Sequence, residues 1–368
     1  MKRILAQCRK ELSQFRRDRL TVALAFLLPL MTLLIYGFAI RLEMKNIPLV
    51  VQDFDNSPLS RTYIERIFAT NQFQPTPWPG GDPAIHALDH GYARAVLTIP
   101  PEFSRRIKAD KPAPVQVLID GTDTNNARII QNSIHATSGA FLTSTNLATA
   151  VNPLMLNLRL WFNPGRRESL FIVPGVYGLI LWVYPALLVA IAIEREKEKG
   201  NILQVYASGI SAAEFLIGKG LAFLFIGLSE ALVIMVAGLL IFGVGFVGDP
   251  IPLLIATPLY VGSAVMFGLL IGSLTNEVVM TVEAIAVIGF QTALLMSGFI
   301  YPVENIPFPL IYLSKALPAH YYIQLTRDAF VRGTGWLGVW FPTLMITLLG
   351  IVLFSTARRI LAKMQLSD

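Results

Sequence analysis

The chain has 368 residues, 54% of them hydrophobic and 15% charged, with a formal net charge of +6. Soluble domains carry about 25% charged residues, whereas Leu170–Ile193 and Ile251–Leu274 here contain none, each long enough to cross a hydrocarbon core of about 30 Å as a helix. This composition excludes a freely soluble globular protein, and the absence of an aromatic-interleaved basic face argues against a nucleic-acid partner.

Met1–Arg19 places Ile4, Leu5, Cys8, Leu12 and Phe15 at helical spacing among basic residues. That pattern predicts an amphipathic helix lying at the membrane interface over residues 1–19, in contact with lipid. Cys8 is the single cysteine, so an internal disulfide is impossible, and it reads as a small apolar residue. Leu20–Ile40 has full-span length and no small-x-small cleavage site after it, so it reads as a retained first span.

Residues 41–169 have ordinary soluble composition with nearly balanced charge. "IPLVVQDFD", "ARAVLTIP" and "VQVLIDGTD" predict strands, while "SRTYIERIFAT" and "NNARIIQNSIHATSGAFLTSTNLA" predict helices, which together make a small α/β domain of open strand order. The run from Pro75 to Gly81 predicts a surface loop. His86 and His90 stand four apart with Asp89 between them, but no third ligand is at hand, so a surface helix is the reading.

Five further spans follow, at about 170–193, 221–242, 252–274, 278–300 and 337–354. The basic residues Lys2 to Arg19 ahead of the first span, and Arg358, Arg359 and Lys363 after the last, put both termini on the cytoplasmic side. Six spans satisfy that rule; five do not. Residues 41–169 then lie outside, while loop 194–220 and the turn Thr275-Asn276-Glu277 lie inside. Glu230 sits mid-span in the third segment, where an acid costs roughly 2.5–3.5 kcal/mol on insertion scales. It is expected to face the bundle interior, a dimer interface or a wet cavity, either paired with a polar group such as Gln291 or protonated. Glu283, near the inner end of the fifth span, is a second polar candidate. The Pro- and Tyr-rich segment 301–332 is too interrupted to span and too apolar for an open loop, which predicts short helices dipping into the outer leaflet.

A phosphate-binding loop needs G-x-x-x-x-G-K-[ST]; the nearest stretch, "LIGKG" at Leu216–Gly220, lacks both the first Gly and the hydroxyl residue. No Ser-His-Asp or Cys-His pattern suggests catalysis. Any ATP is therefore hydrolysed by another chain.

Three stretches carry a family resemblance: "EREKEKGNILQVYASGI" after the second span, "LLMSGFIYPVENIP" closing the fifth, and "LPAHYYIQLTRDAFVRG" before the last. In order and spacing against the spans, the whole chain resembles an ABC-2-type transporter permease of the branch with a large external domain between the first two spans. Val205-Tyr206, where a Leu is more usual, is one departure. The resemblance implies an α-helical integral membrane protein of six spans with an inserted extracytoplasmic α/β domain, in the bacterial inner membrane. It implies two copies of a separate ATPase that holds the ATP and Mg, a second permease chain (identical or paralogous), and no cofactor on this chain. An envelope adaptor on the external domain is left open. Glu194, Arg195, Glu196, Lys197, Gly200 and Asn201 would face the ATPase, Gly200-Asn201 ending the span before a coupling helix over 202–216. Ser297, Gly298, Pro302, Pro307, Pro318 and Arg327 would build the outer re-entrant segment. The expected activity is export of an amphipathic or hydrophobic, drug-like substrate. Export of lipid, polysaccharide or peptide is the alternative, and a membrane-anchored receptor or assembly scaffold is the reading from another class.

Overall fold

The structure, a computed structural model, describes residues 1–40, 46–78, 85–121, 124–144, 167–198 and 210–364. It divides into two compact units, Met1–Ile40 with Leu160–Asp368, and Arg41–Arg159.

In the first unit, α1 (Lys2–Arg17) leads into α2 (Arg19–Ala39). There follow α7 (Ser169–Glu198), α8 (Ala212–Phe242), α9 (Ile251–Leu274), α10 (Val278–Met296), α11 (Leu310–Lys315), α12 (Pro318–Arg327) and α13 (Trp336–Met364). Six of these, α2, α7, α8, α9, α10 and α13, are long and apolar enough to cross a membrane. Prolines inside α2, α7, α9 and α13 are tolerated because a packed bundle re-satisfies the backbone groups they free.

The most buried helices, α7 and α9, form the centre. Small residues let them touch: a Cβ on Gly268 would stand 2.2 Å from the Ala186 carbonyl oxygen, and one on Gly272 would stand 2.9 Å from that of Ala190. Two small-x-x-x-small pairs thus face each other, which is how membrane helices pack without a hydrophobic driving force between them. Around this seam Trp182 stacks on Phe267 at 5.0 Å, and Tyr260 on Tyr322 of α12 at 4.0 Å. The Tyr260 hydroxyl donates to the Gly178 carbonyl across the core at 2.6 Å.

Several helix bounds differ from the sequence expectation. The second span does not stop at Ile193; the helix carries its charged run to Glu198. The third begins not at residue 221 but at Ala212, because Ser211 and Glu214 cap each other's backbone amides in a reciprocal box. The expected coupling helix is therefore overlapped from residue 212 by α8, and its residues 202–209 lie outside the described residues, as do Gly200 and Asn201. The fifth span ends at Met296, its middle wound as a π-helical stretch over Ile285–Gln291.

In the second unit a four-stranded sheet has the order β2-β1-β3-β4, with β1 (Ile47–Asp53), β2 (Phe73–Pro75), β3 (Ala95–Ile99) and β4 (Gln116–Ile119). β1 runs parallel to both its neighbours, and β3 pairs antiparallel with β4. α3 (Pro58–Phe68), α5 (Phe103–Lys108) and α6 (Thr124–Ser144) cover one face over Ile47, Leu49 and Leu97, while the short α4 (Ile85–Asp89) joins a smaller cluster on the other. The expected strands and helices are present, the surface helix around His86 among them as α4; β2 and α5 were not anticipated. The His90 ring faces the His86 carbonyl at 2.7 Å.

Candidate functional site

Because α7 continues as a helix beyond its apolar part, successive charges in Glu194–Lys197 point to different sides. Glu194 and Lys197, three apart, share one face. Glu194 is fully buried, its carboxylate 3.2 Å from the Lys197 ammonium and 3.5 Å from the Thr275 hydroxyl. Lys197 donates to the carbonyls of Gly272 and Thr275, both at 2.6 Å. These belong to the last turn of α9, where carbonyls lack helical partners and the helix dipole favours a cation. Lys197 is thus the cap of α9.

On the next face Glu196 joins a cluster drawn from three helices. Its carboxylate lies 2.6 Å from Lys10 of α1 and 3.0 Å from Lys219 of α8. Lys219, itself fully buried, stands 2.9 Å from Glu11, which also accepts from Gln7 at 2.9 Å. The contacts of Lys219 are close approaches of charge without the angular alignment of hydrogen bonds. Two ammonium groups and two carboxylates leave the cluster neutral. Such a set survives burial only as a unit, since an uncompensated charge in a low dielectric is costly. Burial pushes the Glu11 carboxyl up, with Lys219 pulling it the other way.

Arg195 alone turns outward. It reaches Asp18 at 3.2 Å, the residue that caps α2 by accepting from the Thr21 amide. The Thr21 hydroxyl and amide, more than Arg195, hold the Asp18 carboxyl below its ordinary range.

The four charges therefore do not present one face to the outside: Glu194 and Glu196 are buried, Lys197 is mostly so, and Arg195 is exposed. The N-terminal helix also packs inward: Gln7, Cys8 and Glu11 are buried while Leu5 is 54% exposed, because α1 lies against α8, where a Cβ on Gly218 would come within 2.8 Å of Gln7. Lys10, Glu11 and Lys219 were missed by sequence reasoning. The usable signal was Lys219 itself, a lone cation inside an apolar helix that must find a carboxylate.

Glu230, on α8, is fully buried, and neither carboxylate oxygen has a hydrogen-bond partner among the described residues. The expected partner is elsewhere: Gln291 and Glu283 are both exposed on α10. On α7 the Tyr184 hydroxyl is already engaged, sharing a 2.6 Å hydrogen bond with Thr32 of α2.

At the other end of the bundle, Gly298 turns the chain after α10 with φ +85°, a conformation costly for any other residue. Arg327 of α12 holds that turn, donating to the carbonyls of Gly298 and Phe299 at 2.9 Å each, with its guanidinium 4.1 Å above the Phe171 ring. Ser297 is buried and its carbonyl meets the His320 ring at 3.2 Å. Pro318 starts α12, where its missing amide costs nothing. These four residues are brought together, whereas Pro302 and Pro307 are exposed.

A family model described as "ABC-2 family transporter protein" matches residues 19–357. Among curated proteins the chain is 25% identical to "Probable multidrug ABC transporter permease YbhS" of Escherichia coli (strain K12), over 90% of this chain and 89% of that one. It is 26% identical to "Probable multidrug ABC transporter permease YbhR" of the same strain, over 94% and 95%. It is 25% identical to "Inner membrane transport permease YhhJ", over 89% and 91%.

Proposed function

The chain belongs to the ABC-2 transporter family, and from that premise we propose that it exports an amphipathic or hydrophobic, drug-like compound out of the cytoplasm or inner leaflet. It is a multi-pass permease subunit whose ATP hydrolysis falls to an ABC ATPase partner. In the assembly we propose, two permease chains, identical or paralogous, meet two ATPase copies that hold ATP and Mg. The termini are cytoplasmic and residues 41–169 lie outside, where an envelope adaptor has access.

The observation that carries this reading is the Glu11–Lys219–Glu196–Lys10 cluster. It bolts α1, the charged end of α7 and the first turns of α8 into one block, and the segment joining α7 to α8 is the one proposed to meet the ATPase. Motion delivered there is passed to three helices at once rather than absorbed by side chains. Arg195 is the exposed one of the four charges Glu194–Lys197 and the docking residue of this scheme, with Glu230 on the transport path.

The test is accumulation of an amphipathic dye by inverted membrane vesicles containing the chain and its ATPase. Uptake should require hydrolysable ATP. Equal uptake with a non-hydrolysable analogue would overturn the reading.

A further inference from the structure

In the second unit, α6 does not close over the edge of the sheet. By strand alternation Val117 and Ile119 of β4 face the helix layer, while Leu118 joins the cluster behind. Val117, Ile119 and the preceding Val115 nevertheless stay half-exposed. Between β4 and α6 runs a groove made of two cavities of about 520 and 320 Å³, which share Tyr63, Val115, His135 and Ser138. Its floor is aromatic: Tyr63, Phe103 and Phe141 are all buried. The polar groups are few. The Tyr63 and Ser138 hydroxyls bond to each other at 2.7 Å, His135 lies along the α6 wall, and Asp110 and Lys111 stand at one end.

We propose that this groove is a binding site for a small amphipathic molecule. Its volume falls within the roughly 300–1,000 Å³ of small-molecule sites, and an apolar lining with a few converging polar groups is their usual chemistry. The ring edges at the floor and the half-buried Val115, Val117 and Ile119 offer apolar contact to a ligand, and the Asp110–Lys111 end offers hydrogen bonds to its polar end. A folded partner requires a patch of about 800 Å² rather than a slot. A peptide added as a strand takes hydrogen bonds in the plane of the sheet, from the edge of β4, whereas the groove lies above the sheet face. The ligand class rests on the exporter reading; the geometry of the groove does not.

The experiment uses the full-length chain in nanodiscs, with Cys8→Ala removing its only cysteine. Leu142→Cys, at the groove, is labelled with a maleimide; Arg105→Cys, at a side chain 76% exposed on α5, is the reference. Rhodamine 6G and ethidium are the probes. At ten times its Kd a probe should slow labelling at position 142 about tenfold by mass action and leave the reference rate unchanged. Ser138→Trp, which fills the groove from α6, should abolish the protection, and Ser138→Ala should keep it. Val117→Trp fills it from β4 and serves if the first variant misfolds. Equal protection at both cysteines means partitioning into lipid, and with absent protection, or protection surviving both filled grooves, it overturns the site. ATP-driven transport of the same probes is measured in parallel: protection without transport leaves the groove standing and sinks the exporter reading, and transport without protection does the reverse.

Discussion

Lys219 and Glu196 meet at 3.0 Å in the interior of the helical unit, one from the start of α8 and one from the end of α7. Glu11 completes the contact from α1. Removing the lysine leaves two buried carboxylates to share Lys10, an uncompensated negative charge that should cost about 3–5 kcal/mol, as for breaking a buried pair. Lys219→Met should therefore lower the thermal unfolding temperature of the purified chain sharply. Lys219→Met with Glu11→Gln should recover much of it, because Glu196 and Lys10 are then left as a pair. A single variant as stable as the parent would show that the cluster is not a structural bolt.

Arg195 and Asp18 make the contrasting case. Their pair is exposed, at 47% and 41% of each side chain, so it is worth only about 0.2–1 kcal/mol. Arg195→Glu should leave unfolding nearly unchanged, yet reduce co-purification with the ATPase if this side chain docks it. Reversing Glu194 and Glu196 to Lys should instead prevent folding, since both sites are buried. A well-folded double reversal would refute the burial.

Glu230 has no hydrogen bond to lose among the described residues. Replacing a buried, unpartnered acid with a side chain of similar bulk removes a desolvation penalty. Glu230→Leu should thus be at least as stable as the parent in a melting experiment. A role on the transport path requires that this stable variant fail to move the dye. Glu230→Leu that transports normally removes Glu230 from the mechanism; a marked loss of stability means that it holds a partner.

At the Gly298 turn, Arg327 works by its forked geometry: two nitrogens serve two adjacent carbonyls while the plane lies over Phe171. Lysine keeps the charge and loses both the fork and the stacking. Arg327→Lys should destabilise the unit by about 1.5–3 kcal/mol, the range for a hydrogen bond to a charged group. An unchanged melting temperature would reduce the residue to a surface cation.

Topology is open to direct labelling. In a Cys8→Ala background, Ser104→Cys on α5 should react with a membrane-impermeant maleimide in cells with a permeabilised outer membrane. Ser13→Cys, on the exposed side of α1, should not. Reaction at position 13 would invert the orientation.

The sequence alone determined the membrane class, the number of spans, the core strands β1, β3 and β4 and the helices α3 and α6, because each is set by hydropathy or periodicity within one short window. The start of α8 was equally legible, since Ser211 and Glu214 form a capping box three residues apart; the charge run before it drew attention away. Only the tertiary structure decided where the charges go. Glu11 and Lys219 are far apart along the chain and become partners because α1 lies against α8; nothing local to either residue names the other. The same holds for Glu230, whose burial without a hydrogen-bonding partner among the described residues depends on how α8 packs, and for Gln291, which faces away. A helix period fixes which residues share a face, but which face turns inward is settled by the packing of the neighbouring helices.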